Sequence, residues 1–161
     1  MPLMPAVERR RLHFASTDEL LADAERLAAA PHRTLGQWSL GQILAHLAMF
    51  INGSLDGFGF EMPWAMRLLA RPMRRRFLRK PPPAGIRFPK RAASVLDPPQ
   101  VDPQQGLTML REAAARLKHE PQRHPSPVFG ELSVEEWNQL HCRHAELHLG
   151  FAVPDETGAT A

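Results

Sequence analysis

The chain holds a single cysteine, no tyrosine and no long hydrophobic run. Each absence excludes something. One thiol, Cys142, cannot build an internal disulfide framework, and it fits a reducing compartment. No stretch approaches the roughly 18 uninterrupted apolar residues that a membrane-spanning helix needs. Alternating runs of β-branched and aromatic residues are missing, so no strand is expected and the fold class reads as all-α. Glycine patterns of the P-loop, Rossmann and G-x-S-x-G types are absent too, which removes the commonest phosphate, dinucleotide and serine-hydrolase signatures. The three arginines Arg9, Arg10 and Arg11 resemble the start of an export signal. No apolar stretch with a small-residue cleavage site follows them, so a cytoplasmic protein is expected.

What is present suffices for one core. The 161 residues are 43% hydrophobic and 23% charged, ordinary for one folded domain. That domain is expected over 1–153, with a disordered tail over 154–161. Lys and Arg number 20 and Asp and Glu 17, for a net charge of +3. The excess is local. Residues 61–91 carry ten of the cations and one acid, Glu61, so the rest of the chain is net acidic.

Helix starts are legible from capping chemistry, in which an N-cap side chain accepts from an orphan backbone N–H and a Glu or Gln three residues on reaches back. Ser16 with Glu19, Ser39 with Gln42, Asp102 with Gln105 and Ser133 with Glu136 each precede an apolar-periodic run. Four helices follow, near 17–30, 39–53, 103–119 and 134–151, packed as an antiparallel bundle. Between the second and third lies a long basic, proline-rich connection. Short helices are expected over Trp64–Ala70 and Pro72–Lys80, then an extended loop to Pro99. Over 72–99 the charged heads are expected to be exposed and the backbone mobile.

Unrolled at about 100° per residue, the last helix places Trp137, Leu140, His141, His144, Leu147, His148 and Phe151 on one arc of roughly 120°. Three imidazoles thus turn inward among apolar neighbours, where an unpartnered polar group costs free energy. His144 and His148 stand one turn apart, close enough to chelate one ion. The second helix offers a third interior histidine, His46, in Ile43-Leu44-Ala45-His46-Leu47-Ala48. A lone helical histidine is more often core or surface than ligand; the pair on an apolar stripe with a third on another helix makes the metal reading competitive. Cys142 falls off this arc and reads as a bystander. Glu146 faces away and reads as solvated. With no H-E-x-x-H spacing, a simple metallohydrolase is weakened. The arginines of the insert invite a nucleic-acid or membrane-surface reading, yet match no reader motif. They read best as a solvated cover over the cleft mouth.

Trp38-Ser39-Leu40-Gly41-Gln42, His46-Leu47-Ala48, the His144–Leu149 run, and the spread motif His124-Pro125, Phe129-Gly130, Leu132–Trp137 together resemble the DinB/YfiT-like superfamily over roughly residues 10–153. Within it they resemble a bacterial branch known only as a domain of unknown function. The resemblance implies a four-helix bundle whose metal is held by His46, His144 and His148. It leaves His141 as a further ligand, a group behind the ligands, or cleft lining. The implied cofactor is a divalent transition metal: zinc, nickel or iron. The implied function is a metal-dependent enzyme of the thiol-dependent transferase or hydrolase type acting on a small molecule, anionic or a thiol. The alternative is a non-catalytic binding module whose site is empty or structural. No side chain is assigned a catalytic role. Nucleic acid is not an expected partner, and a homodimer is compatible with the chain.

Overall fold

A computed structural model describes residues 8–86 and 89–155. Four long helices carry the fold: α1 (Thr17–Ala29), α2 (Leu40–Asp56), α6 (Pro103–His119) and α7 (Val134–Leu149). The connection between α2 and α6 adds α3 (Trp64–Ala70), a 3-10 turn (Arg71–Met73), α4 (Arg74–Arg79) and α5 (Lys90–Leu96). Two three-residue strands, β1 (His32–Thr34) and β2 (Ala152–Pro154), pair antiparallel with Arg33 opposite Val153.

The capping chemistry accounts for the long helices. Complete boxes form at Ser39–Gln42, Asp102–Gln105 and Ser133–Glu136. The first is half a box. Ser16 accepts from the Glu19 N–H, but the Glu19 carboxylate reaches the Ala15 N–H. The α2 helix runs past Asn52-Gly53 and stops at Gly57, whose φ of 91° suits glycine.

Side chains from all four long helices form the main core, among them Leu20, Leu44, Leu110 and Leu149. The closest helix pair is α2 with α6. Gly41 and Gly106 make it so, since a Cβ on Gly106 would lie 2.6 Å from the Gly41 carbonyl oxygen. A second cluster of Phe58, Leu78, Leu132, Trp137 and Leu140 ties the connection to the start of α7. There the fully buried Trp137 donates its indole N–H to the His124 carbonyl at 3.2 Å.

Several expectations are corrected. The stretch after Pro83 is not wholly extended: α5 occupies Lys90–Leu96, entered from Pro89 without a side-chain cap, so no capping signal announces it. The two short strands also escape pattern reading, because three residues joined by backbone bonds need no alternation. The α7 helix ends at Leu149, and the chain turns to pair with β1. Glu146 is not solvated but 3% exposed. The segment before α1 covers that face of α7, and the Glu146 Oε1 accepts from the Phe14 N–H and pairs with the Arg143 guanidinium, both at 2.7 Å. The positions 156–161 of the expected tail, and Arg87 and Phe88 of the insert, lie outside the described residues. Within the insert, Arg75, Arg76, Arg79 and Lys80 are exposed as expected, while Arg74 is half-buried against Glu136.

Candidate metal centre

The α2 and α7 helices are positioned by their own core faces. On α2, Leu44, Leu47, Ala48 and Ile51 are buried in the main core; on α7, Cys142, Ala145 and Leu149 are. The remaining inward arcs face each other and carry the histidines. His46 is buried, His144 and His148 partly so. Their rings meet. The His144 Nε2 lies 3.1 Å from the His46 Nε2 and 3.1 Å from the His148 Nε2. One potential ligand atom from each residue falls within 4.8 Å of the others.

Aromatic rings wall the cluster. Trp38, the residue before the α2 N-cap, stacks on His148 at 5.4 Å between centroids and lies 4.7 Å from His46. Phe50, one turn beyond His46, lies 4.1 Å from His144. Burial holds all three imidazoles below the usual histidine range, His148 at about 3, and for His144 and His148 the neighbouring histidines push the same way. The three are therefore neutral at neutral pH.

Neutral rings leave the cluster short of hydrogens. The His46 Nδ1 lies 2.8 Å from the Leu96 carbonyl oxygen, which can only accept. The ring's one proton is thus on Nδ1, and the His46 Nε2 presents a lone pair. His144 Nε2 then cannot complete ordinary hydrogen bonds on both sides. With a proton it has one to give; without one it meets His46 lone pair to lone pair. A cation at the common point resolves every contact. Nitrogens bound tetrahedrally at about 2.0–2.1 Å stand about 3.3 Å apart, close to the 3.1 Å observed for two of the pairs. The residues fit a metal ion.

His141 stands outside this cluster. The Ser54 hydroxyl donates to the Ile51 carbonyl at 2.6 Å, so towards the His141 Nε2, 3.1 Å away, it accepts. His141 therefore carries its proton on Nε2 and stacks on Trp137, while its buried Nδ1 finds no partner. Burial holds its pKa down at about 3, with the Arg123 charge contributing in the same direction. Cys142 packs in the main core on another arc of α7, where burial raises its thiol to about 11. It is no nucleophile at neutral pH.

One contributor was invisible to sequence reasoning. The Leu96 carbonyl, at the end of α5, fixes the tautomer of His46, and a backbone acceptor leaves no residue-type signal. The basic insert thus supplies part of the site's frame.

The chain belongs to a family described as protein of unknown function (DUF1569), which matches residues 6–155. No curated protein and no solved structure matches the chain.

Proposed function

We propose that His46, His144 and His148 hold one divalent transition metal (zinc, nickel or iron) through their Nε2 atoms, in a DinB-like enzyme of the thiol-dependent transferase or hydrolase type. The observation that carries this reading is the meeting of three neutral Nε2 atoms, two pairs at 3.1 Å, with too few protons to bond one another. Three neutral protein ligands leave coordination open and the ion's charge undiminished, so a bound ion would lower the pKa of a coordinated thiol or water.

The chain's own groups favour the thiol arm. Among the described residues no carboxylate and no cysteine joins the histidine cluster. Hydrolysis asks for a base beside the activated water, and the carboxylate whose charge reaches His46 is Asp97, which is not a member of the cluster. A thiol substrate brings its own nucleophilic atom and, once ionised, needs no base in the transfer step. The Leu96 carbonyl holds His46 in the binding tautomer, and Trp38 and Phe50 exclude water from the cluster's flanks.

Metal content measured on protein purified without chelator tests the proposal: about one ion per chain is expected, and none after His144→Ala. The alternative, a binding module with a structural ion, is separated by chelation. The main core draws on all four long helices without the triad, so a catalytic site predicts that circular dichroism survives metal removal. Collapse on chelation would favour the structural reading.

A further inference from the structure

The segment from Trp64 to Lys80 presents two unlike sides. Its inner side is anchored. Arg74 donates to the Glu136 carboxylate, Leu78 is buried with Trp137 and Leu140, and Phe77 lies 5.7 Å from Phe129. Arg67, half-buried, pairs with Glu61 at 3.6 Å. Arg67, Ala70, Arg74, Phe77 and Leu78 are the residues of the segment that are not exposed, and together they form its inner arc. This arc fixes the segment against the body.

The outer side is divided lengthwise. Its first half is apolar and exposed: Trp64 is 78% accessible, Leu69 74% and Leu68 54%, with Met66 and Met73 beside them. Its second half is cationic and exposed: Arg75, Arg76, Arg79 and Lys80. Such a contiguous apolar strip is uncommon on a free surface, whereas scattered apolar residues are not. No described helix is long and apolar enough to cross a membrane.

We infer that this outer face of Trp64–Lys80 docks on an anionic phospholipid bilayer. Trp64, Leu68, Leu69 and Met73 enter the boundary between headgroups and acyl chains, and Arg75, Arg76, Arg79 and Lys80 meet the lipid phosphates. Charge selects this occupant over the others. The exposed Arg75, Arg76, Arg79 and Lys80, with no acid anywhere in Trp64–Lys80, repel a second copy of the same face. A nucleic acid would reward the arginines but gives Leu68, Leu69 and Met73 nothing to pack against. A bilayer rewards both halves. The anchored inner arc means that the face is presented without unfolding, so little ordering cost accompanies docking. The inference does not depend on the histidine cluster.

Flotation of the full chain with vesicles tests it. In 0.1 M salt, vesicles of phosphatidylcholine with about one-third phosphatidylglycerol should carry at least about tenfold more protein than phosphatidylcholine alone. The triple variant R75Q/R76Q/R79Q should lower partitioning about a hundredfold, at about fivefold per arginine. The double variant W64S/L69S should lower it about tenfold or more. All five positions are exposed, so thermal unfolding of both variants should match the parent chain. Three results overturn the inference. One is no preference for the anionic vesicles. Another is unchanged vesicle binding by W64S/L69S together with tight duplex DNA binding, which marks a nucleic-acid surface. The third is a wild-type dimer that W64S/L69S converts to monomer in sedimentation, which marks a face between copies.

Discussion

Two faces of α7 bury polar side chains, and they do so differently. On one, Arg143 and Glu146 lie under the segment before α1. Their charges offset each other at 2.7 Å, and the Phe14 N–H donates to the same Glu146 Oε1. On the other, His144 and His148 turn towards His46 with Nε2 atoms 3.1 Å apart along the cluster and no proton supply that satisfies them all. The first face is closed within the chain: donor meets acceptor, and cation meets anion. The Arg143 Nε and the Glu146 Oε2 lack partners, a cation's donor and an anion's acceptor, and burial pushes the Glu146 carboxyl above its usual range. The second face brings three ring nitrogens to a common point, where the His46 Nε2 is an acceptor and no arrangement of the remaining protons completes both contacts. A buried polar group that is complete holds structure together, whereas a buried set that is incomplete in one consistent sense asks for a ligand of the opposite sense.

The largest effect that tests this contrast is on metal content. Each of His46→Ala, His144→Ala and His148→Ala should lower bound metal at least about tenfold after dialysis, judged by elemental analysis. His32→Ala and His119→Ala, both on exposed or half-exposed positions remote from the cluster, should leave it unchanged. Full retention by His144→Ala would remove the central ligand and with it the contrast. The next effect is on stability. Glu146→Ala leaves Arg143 buried and uncompensated, and should cost about 3–5 kcal/mol in denaturant unfolding. The double variant Arg143→Met, Glu146→Leu should recover most of that loss, because neither charge is then stranded. Metal stoichiometry should not change in either. If Glu146→Ala also empties the site, the two faces are one unit.

The sequence made some of this legible and hid the rest for physical reasons. Capping boxes are local, formed within four residues, and so Ser39, Asp102 and Ser133 announced their helices. The histidines were legible because an i, i+4 pair on an apolar arc is also a local pattern. Glu146 was misread because a helical wheel assumes one buried face. The α7 helix has more than one, and the second is created by a segment some 130 positions away in the chain. The α5 helix lacks a side-chain cap, and the Leu96 carbonyl that orients His46 is backbone. His141 shared the arc of its neighbours, yet only the position of Ser54 on α2 separates it from them.

That separation gives the smallest and most specific test, since His141 is buried and polar but belongs to neither face. Its proton sits on Nε2 and is given to Ser54, and its Nδ1 is free of partners. Folded, it titrates at about 3 because burial opposes the charged ring. Unfolded, it titrates near 6.5. Between these values the unfolded chain binds a proton that the folded chain refuses, so stability falls as pH falls below about 6.5. For this one residue the loss from pH 7 to pH 5 comes to about 2 kcal/mol. Chelated protein carries the same kind of loss from His46, His144 and His148, so wild type and variant must be compared in that form. His141→Phe keeps a ring against Trp137 and removes the titration. Its unfolding free energy should therefore drop about 2 kcal/mol less than that of wild type over the same interval. Equal slopes in the two proteins would mean that His141 takes up its proton in the folded state, with water reaching Nδ1.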